Sequence, residues 1–600
     1  FLLSSGKIIH LFFYNGALAH EVSFGNLLKN GEKFAQSLLN NFNGEKGQAQ
    51  LVHLATDGET FGHHHRFGEM ALSYCLHYIK EKQLAQITNY GEFLSLNPPT
   101  SAVKIIDNTS WSCVHGVERW RNDCGCNTGM NPSWHQKWRK PLRDAMDWLR
   151  DQLINLFEEG SSSLFKDSWQ ARNEYISVIL QRNGEQISSF LSQYSHHQLN
   201  EKEKIQSIKY LEMQRNAMLM YTSCGWFFDE LSGIETTQVM NYAARAIQLA
   251  KELTGQDLEK TYINWLQLAP SNIKKYQNGG KIYQSLVQPA ILDLLRVGAH
   301  YAISTLFNDN QESIYAYQTH QDKMERWQNG QLKIAIGQAT IKSIITSEED
   351  KISFAVLHLG DHNVNGGVRS FMDESAYQKM FQEISTAFDQ GNIVDIIRLM
   401  DQHFGMNSYS LWYLFKDEQR KVIQEILKSN LEKLKSTFQQ IYNENYTMMN
   451  FLNQLNIPIP QPLFVITEQA VNQELIQIFS REPLALETLE EMIQEAEDWS
   501  INIDHKTIGF KASLWFNQSM EKLQQHPQEI KHIKEIIAAL EQINKSNIPL
   551  HLWKAQNIYF QLKQETLSSY QENAKQGNEE AKIWLEQFKK LGFMLNVEVT

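Results

Sequence analysis

The 600-residue chain carries 56 Lys and Arg against 68 Asp and Glu, a formal charge of −12, and is 42% hydrophobic and 11% aromatic. An acidic balance without clustered Lys and Arg excludes a phosphate-tracking surface, and with it a nucleic-acid partner; the hydrophobic content, in a chain too long for one ordinary core, predicts two to four domains and no wholesale disorder. Five cysteines, an odd and sparse set, favour a reducing, cytoplasmic compartment over a disulfide framework, and no apolar run approaches the roughly 18 residues that span a bilayer, so no membrane partner is expected.

Lys7–Tyr14 (KIIHLFFY) reads as a buried strand and Asn26–Asn41 as the helix after it. Leu51–Ala55 reads as a second strand, giving the βαβα rhythm of a parallel sheet. The chain then breaks into Thr56-Asp57-Gly58-Glu59-Thr60-Phe61-Gly62-His63-His64-His65, and from Gly68 onward Ala71, Tyr74, Cys75, Tyr78 and Ile79 recur at helical spacing. Asp57 therefore stands at the carboxyl end of a strand, the edge on which barrel and α/β enzymes assemble their chemistry.

The seven residues Asp57-Gly58-Glu59-Thr60-Phe61-Gly62-His63 resemble the fourth signature of glycoside hydrolase family 57, Asp-x-Glu-x-Phe-Gly-His, at the end of a strand in an incomplete (β/α)7 barrel. The resemblance implies that Asp57 is the general acid/base of a retaining glycosidase or transglycosylase acting on α-glucans, with no cofactor required. It implies that His63 and His65 donate to sugar hydroxyls, with Glu59 at the substrate but turned away from the nucleophile position. The family's nucleophile, a Glu several tens of residues earlier, is expected upstream of Phe1, since neither Glu21 nor Glu45 sits in a matching motif. The chain is accordingly expected to hold the carboxyl-terminal portion of a barrel and to be inactive alone.

Thr88–Arg121 resembles the segment that follows this signature, with Glu92, Phe93, Leu94, Pro98, Pro99, Ser110, Trp111 and Trp120 at the matching places. Trp111 and Trp120 are then expected as subsite walls, with core tryptophan as the alternative, and His115 as a further sugar contact. Cys113-x-His115 and Cys124-x-Cys126 also make up a Cys3His set of the kind that holds a structural zinc, although Cys-x-Cys is tighter than the usual spacer and buried free cysteine is the alternative.

Beyond Pro132 the spacing predicts helices, with Leu142, Ala145, Met146, Leu149, Leu153 and Leu156 on one face, then partner helices over 200–217 and 236–253. The stretch between those two resembles the fifth family signature, Ser-Asp-Trp, but has Gly225 in the Asp position and keeps Trp226, expected to wall the site. A Gln-rich hinge is expected at Gln318–Gly330. β-type runs at 332–345 and 352–358 follow, ending in a turn in which His358, Asp361 and His362 read as hairpin residues before metal ligands. Residues 377–592 read as helical, with a closing strand at 593–599, and resemble an uncharacterised domain found behind certain bacterial family 57 barrels.

The expected architecture is thus α/β plus mainly α: a partial (β/α)7-type barrel over residues 1–130, a helical domain 131–325 on the barrel mouth, a small β segment 326–375 and a helical domain 376–600. Two other functions stay open, a metal-dependent polysaccharide hydrolase or deacetylase using Asp57, His63 and His65 as ligands, and a non-catalytic glucan-binding protein.

Overall fold

The computed structural model describes residues 1–44, 47, 49–307, 312–360, 362–481 and 483–597. It is mostly helical and divides into two compact units, Phe1–Ser168 with Tyr210–Ile291, and Trp169–Lys209 with Leu292–Thr600.

In the first unit, helices α1 (Gly16–Phe24), α2 (Gly31–Leu39) and α3 (Gly68–Glu81) close over a small core of Val22, Leu28, Phe34, Ala35, Cys75 and Ile79. Asn15 and Asn30 start α1 and α2 by accepting from the backbone N–H groups of Leu18 and Lys33, which satisfies donors a helix leaves open. The segments expected as parallel strands are extended but unladdered. Lys7–Tyr14 is joined only by an isolated bridge between Leu2 and Ile8, and Asn15 N donates to the His53 carbonyl at 3.1 Å. Ile8 and Phe13 are 67% and 74% exposed, so the first segment is not the buried strand its composition predicts. Apolar composition favours burial, but a strand forms only where a neighbour accepts its backbone hydrogen bonds. A (β/α)7 barrel is therefore not displayed by the described residues.

After α4 (Tyr90–Leu96) a long irregular segment leads to α5 (Arg139–Ser161), which buries Leu142, Ala145, Met146, Leu149 and Leu153 as its periodicity predicts, with Phe157 rather than the half-buried Leu156 completing the face. The helices Ile234–Thr254 and Glu259–Leu266 pack on it, and Gly255 in the left-handed region (φ 77°) ends the first of them.

The second unit is built on a curled antiparallel sheet in the order β1 (Ser313–Ile314), β2 (Tyr317–Asn329), β3 (Leu332–Ser343), β4 (Glu349–His358), β5 (Val364–Ser370), β6 (Ser408–Tyr409). Successive residues alternate faces. Ala335, Ala339, Phe354 and Val356 pack with the helix Leu294–Ser304, whereas Ile334, Ile336, Ala355 and Leu357 pack with the helices Glu374–Asp389 and Ile393–Phe404. The expected Gln-rich hinge is strand β2, paired to β3 along its length. From Lys416 onward the chain is mainly helical, and the last helix runs to Met594, into the start of the strand expected over 593–599; residues 595–597 form no strand, and 598 and 599 lie outside the described residues. Tyr559 and Tyr570 of the helix Trp553–Lys575 stack in series with Phe588 and Trp584 of the last helix, at 3.9–4.5 Å between centroids.

Candidate functional sites: an acid loop and a thiol cluster

The acid loop leaves the extended segment at Asp57 (φ −64°, ψ 141°) and makes one tight turn, Gly58–Thr60. Its shape is fixed from beneath. Thr60 is buried, and the Thr56 hydroxyl lies 2.7 Å from Ser23 Oγ and 2.9 Å from Thr60 Oγ1. His65 Nε2 lies 2.8 Å from the Ser23 carbonyl oxygen, which accepts only, so this nitrogen carries the proton. The returning leg is held by Gly62 N to His65 O (3.0 Å), His64 N to Glu59 O (2.9 Å) and His65 N to Thr60 O (3.2 Å), and Gly62 sits at φ 110°, where a side chain would be strained.

Against this scaffold, Asp57, Glu59, His63 and His64 are exposed. Among the described residues their side chains make no hydrogen bond or ion pair, and the His63 and His64 rings lie 5.2 Å apart. His65 departs from expectation, because its Nε2 braces the loop rather than facing a ligand.

The second cluster gathers Cys113, His115, Cys124 and Cys126, whose ligand atoms all lie within 4.8 Å of one another. Cys113 Sγ is 3.9 Å from Cys124 Sγ and 3.8 Å from Cys126 Sγ, and Cys126 Sγ is 3.5 Å from His115 Nδ1. No disulfide is present, since that bond needs sulfur atoms about 2.05 Å apart. Burial pushes the Cys113 thiol up, but the backbone N–H groups of Arg119 and His115 and the thiols of Cys126 and Cys124 outweigh it and bring it down to about 7. The donor set is one that a metal ion can occupy. Among the described residues it is the only such convergent group, and the ligand atoms of Asp57, His63 and His65 are not gathered in this way.

Two residues that the sequence did not flag complete this region. Arg119 and Arg139 are 4% and 0% exposed. Arg119 donates from Nη1 to Ser112 O (3.0 Å) and from Nε and Nη2 to Phe227 O (3.1 and 2.8 Å). Arg139 donates from Nη1 to Cys126 O (2.8 Å) and from Nη2 to Phe228 O (3.4 Å) and Phe227 O (3.5 Å). Burial and then the neighbouring Arg119 charge lower the Arg139 pKa, while Cys124, Asp229 and Cys126 raise it. Asp229 is engaged elsewhere, accepting from Thr128 N (3.0 Å) and Thr128 Oγ1 (2.5 Å).

The expected sugar walls separate into three cases. Trp111 is 83% exposed, with its ring 5.9 Å from that of Phe227, and remains an available platform. Trp120 is half-buried and donates to Ser223 O at 3.1 Å. Trp226 is core: 1% exposed, stacked on Tyr221 and bonded through Nε1 to Arg139 O at 3.3 Å. Trp226 therefore walls no site in this structure. The departure at Gly225 is steric, since a Cβ there would meet both Val239 methyls at 2.8 Å. His115 belongs with the thiols, and no hydrogen bond, ring contact or ion pair among the described residues joins Trp111, His115 or Trp120 to the acid loop. His358 is buried on β4 beside Phe307, and Asp361 and Glu45 lie outside the described residues.

No helix among the described residues is long and apolar enough to cross a membrane. Comparison with curated proteins and with solved structures gave no match. Residues 134–415 match the family described as a domain of unknown function, DUF3536, a stretch that covers α5, the helices after it and the sheet and ends before the helices that begin at Lys416.

Proposed function

We propose that the protein is a retaining glycoside hydrolase or transglycosylase acting on α-glucan-like polysaccharide, with Asp57 as its general acid/base. The observation that carries this reading is the acid loop: an Asp-x-Glu-x-Phe-Gly-His stretch whose backbone is pinned by Ser23, Thr56, Thr60 and His65 while Asp57 and His63 stay exposed and unbonded. In the first step Asp57 gives its proton to the glycosidic oxygen as that C–O bond breaks and a second carboxylate bonds to the anomeric carbon. In the second, Asp57 takes a proton from water or an acceptor hydroxyl, whose oxygen displaces the carboxylate. The second carboxylate must lie about 5–5.5 Å from the first, and the family resemblance puts it on no residue of this sequence. Glu21 is otherwise occupied, accepting from Asn26 N at 3.3 Å.

Exposed Trp111 suits the apolar face of a sugar ring. The five free cysteines support a cytoplasmic location. In a version of the protein that also carries the family's nucleophile glutamate, Asp57→Asn keeps the shape of the side chain and removes the proton, so glucan turnover should fall by about two orders of magnitude or more with glucan binding unchanged. Turnover that survives the substitution would end the assignment, and binding without turnover in the unsubstituted protein would favour a glucan-binding role instead.

For the thiol cluster the reading is a structural zinc. Tetrahedral zinc, with Zn–S of about 2.3 Å and Zn–N of about 2.05 Å, spaces sulfurs about 3.8 Å apart and sulfur from nitrogen about 3.5 Å. The separations of 3.8, 3.9 and 3.5 Å in this cluster fit that frame. Four protein ligands leave no open position for substrate, which makes the role structural.

A further inference from the structure

We propose that Arg119 and Arg139 are the counter-charge and the positioning residues of this metal–thiolate centre, an inference that rests on the zinc reading of the four-residue cluster.

Both guanidiniums are buried, at 4% and 0% exposure, and among the described residues neither pairs with a carboxylate. Their partners are backbone carbonyls, and Arg139 Nε has none. Two buried positive charges converging on the Phe227 carbonyl are costly unless an anion lies close. Asp229 accepts from Thr128 N and Oγ1 and keeps its charge, which acts on Arg139 and balances one of the two guanidiniums. The second anion is the centre itself, because a divalent ion bound by three thiolates and a neutral imidazole carries one net negative charge.

The same bonds align the ligands. Arg119 holds the carbonyl of Ser112, next to Cys113, and Arg139 holds the carbonyl of Cys126, so each end of the ligand-bearing segment is clamped by one guanidinium. Both then reach Phe227 in the short helix Cys224–Phe227, at 2.8 Å from Arg119 and 3.5 Å from Arg139. Arg119 also lies over the Phe227 ring at 4.1 Å. The backbone at both ends of the ligand-bearing segment is thereby held by a fixed cation pair, which couples the metal, the clamp and that helix.

The test is zinc affinity, by competition with a chromophoric chelator on the full chain, for the unsubstituted protein, Arg119→Met and Arg119→Lys, with cobalt(II) substitution to read the thiolate-to-metal absorption. The unsubstituted chain should hold one zinc. Arg119→Met should bind it at least tenfold more weakly, and Arg119→Lys, which keeps the charge, should recover some of that loss. The cobalt spectrum should keep its three-thiolate form in both variants. An affinity within twofold of the unsubstituted chain in Arg119→Met overturns the proposal. If Arg119→Met does not fold, Arg139→Lys decides: affinity within tenfold supports the charge role, and abolished binding in a folded chain overturns it. A chain that takes up neither zinc nor cobalt removes the metal reading together with this inference and leaves the Asp57 assignment as it stands.

Discussion

Gly225 separates chemistry from packing at the scale of one residue. The fifth-signature pattern places a carboxylate there, yet the position lies against Val239, with 2.8 Å between an added Cβ and either methyl. Gly225→Asp should overpack this site and bury a charge, costing about 2–4 kcal/mol. Val239→Ala should recover some of that cost, as read by denaturant unfolding, and a neutral Gly225→Asp would show that the site is open. Trp226 carries the same lesson. A tryptophan in a signature-like stretch and a tryptophan in a core are identical in sequence, and what distinguishes them is Tyr221 on one side and the Arg139 carbonyl on the other. Arg119 and Arg139 were illegible for a related reason: charged residues ordinarily read as surface, and the carbonyls that hold them lie up to 108 positions away.

Among the elements, helices were the most legible. Residues 142–156 predicted α5 and 236–253 predicted Ile234–Thr254, because each buries a face at helical spacing, and 200–217 predicted the helix Glu201–Leu219, which is buried all round from Ser207 to Gln214. Strands were less so. β2 is largely exposed, with His320–Lys323 and Glu325–Arg326 among its solvent-facing residues, so neither period-2 alternation nor an apolar run announces it. Lys7–Tyr14 errs the other way, apolar in composition and bridged at Leu2–Ile8 rather than laddered into a sheet.

The carboxyl-terminal helices carry a pH dependence that sequence cannot show. Glu495, on Leu486–Asp498, accepts from the Tyr442 hydroxyl, and burial raises its pKa above the usual 4.5 while the Tyr442 bond only partly opposes this. The folded chain thus holds this proton to higher pH than the unfolded chain does. The associated stability is complete below 4.5 and is lost as pH rises through the raised value. Glu495→Gln keeps the acceptor without the charge. Its melting temperature should exceed that of the unsubstituted chain at about pH 7–8, the gap closing near about pH 4, and a gap independent of pH would refute the burial argument.

For the whole molecule, two units with separate cores imply separable responses. The thiol cluster lies in the first unit, whereas the cores of the sheet and of the carboxyl-terminal helices are formed by residues of the second. A ligand that binds only the folded state stabilises what it binds. Stripping metal with a strong chelator should therefore lower the melting of the first unit by several degrees and leave the second in place, as resolved by calorimetry or unit-specific hydrogen exchange. Equal shifts in both would contradict the local role.

The central claim is that Asp57 exchanges a proton in a double displacement at an α-glucosidic carbon, and the stereochemistry of the first product tests it most directly. Proton NMR of a short α-glucan incubated with a version of the protein that also carries the family's nucleophile glutamate, recorded before mutarotation, should show new reducing ends or transferred chains in the α configuration. Initial β-configured product, or no product from a preparation that binds the glucan, would contradict it.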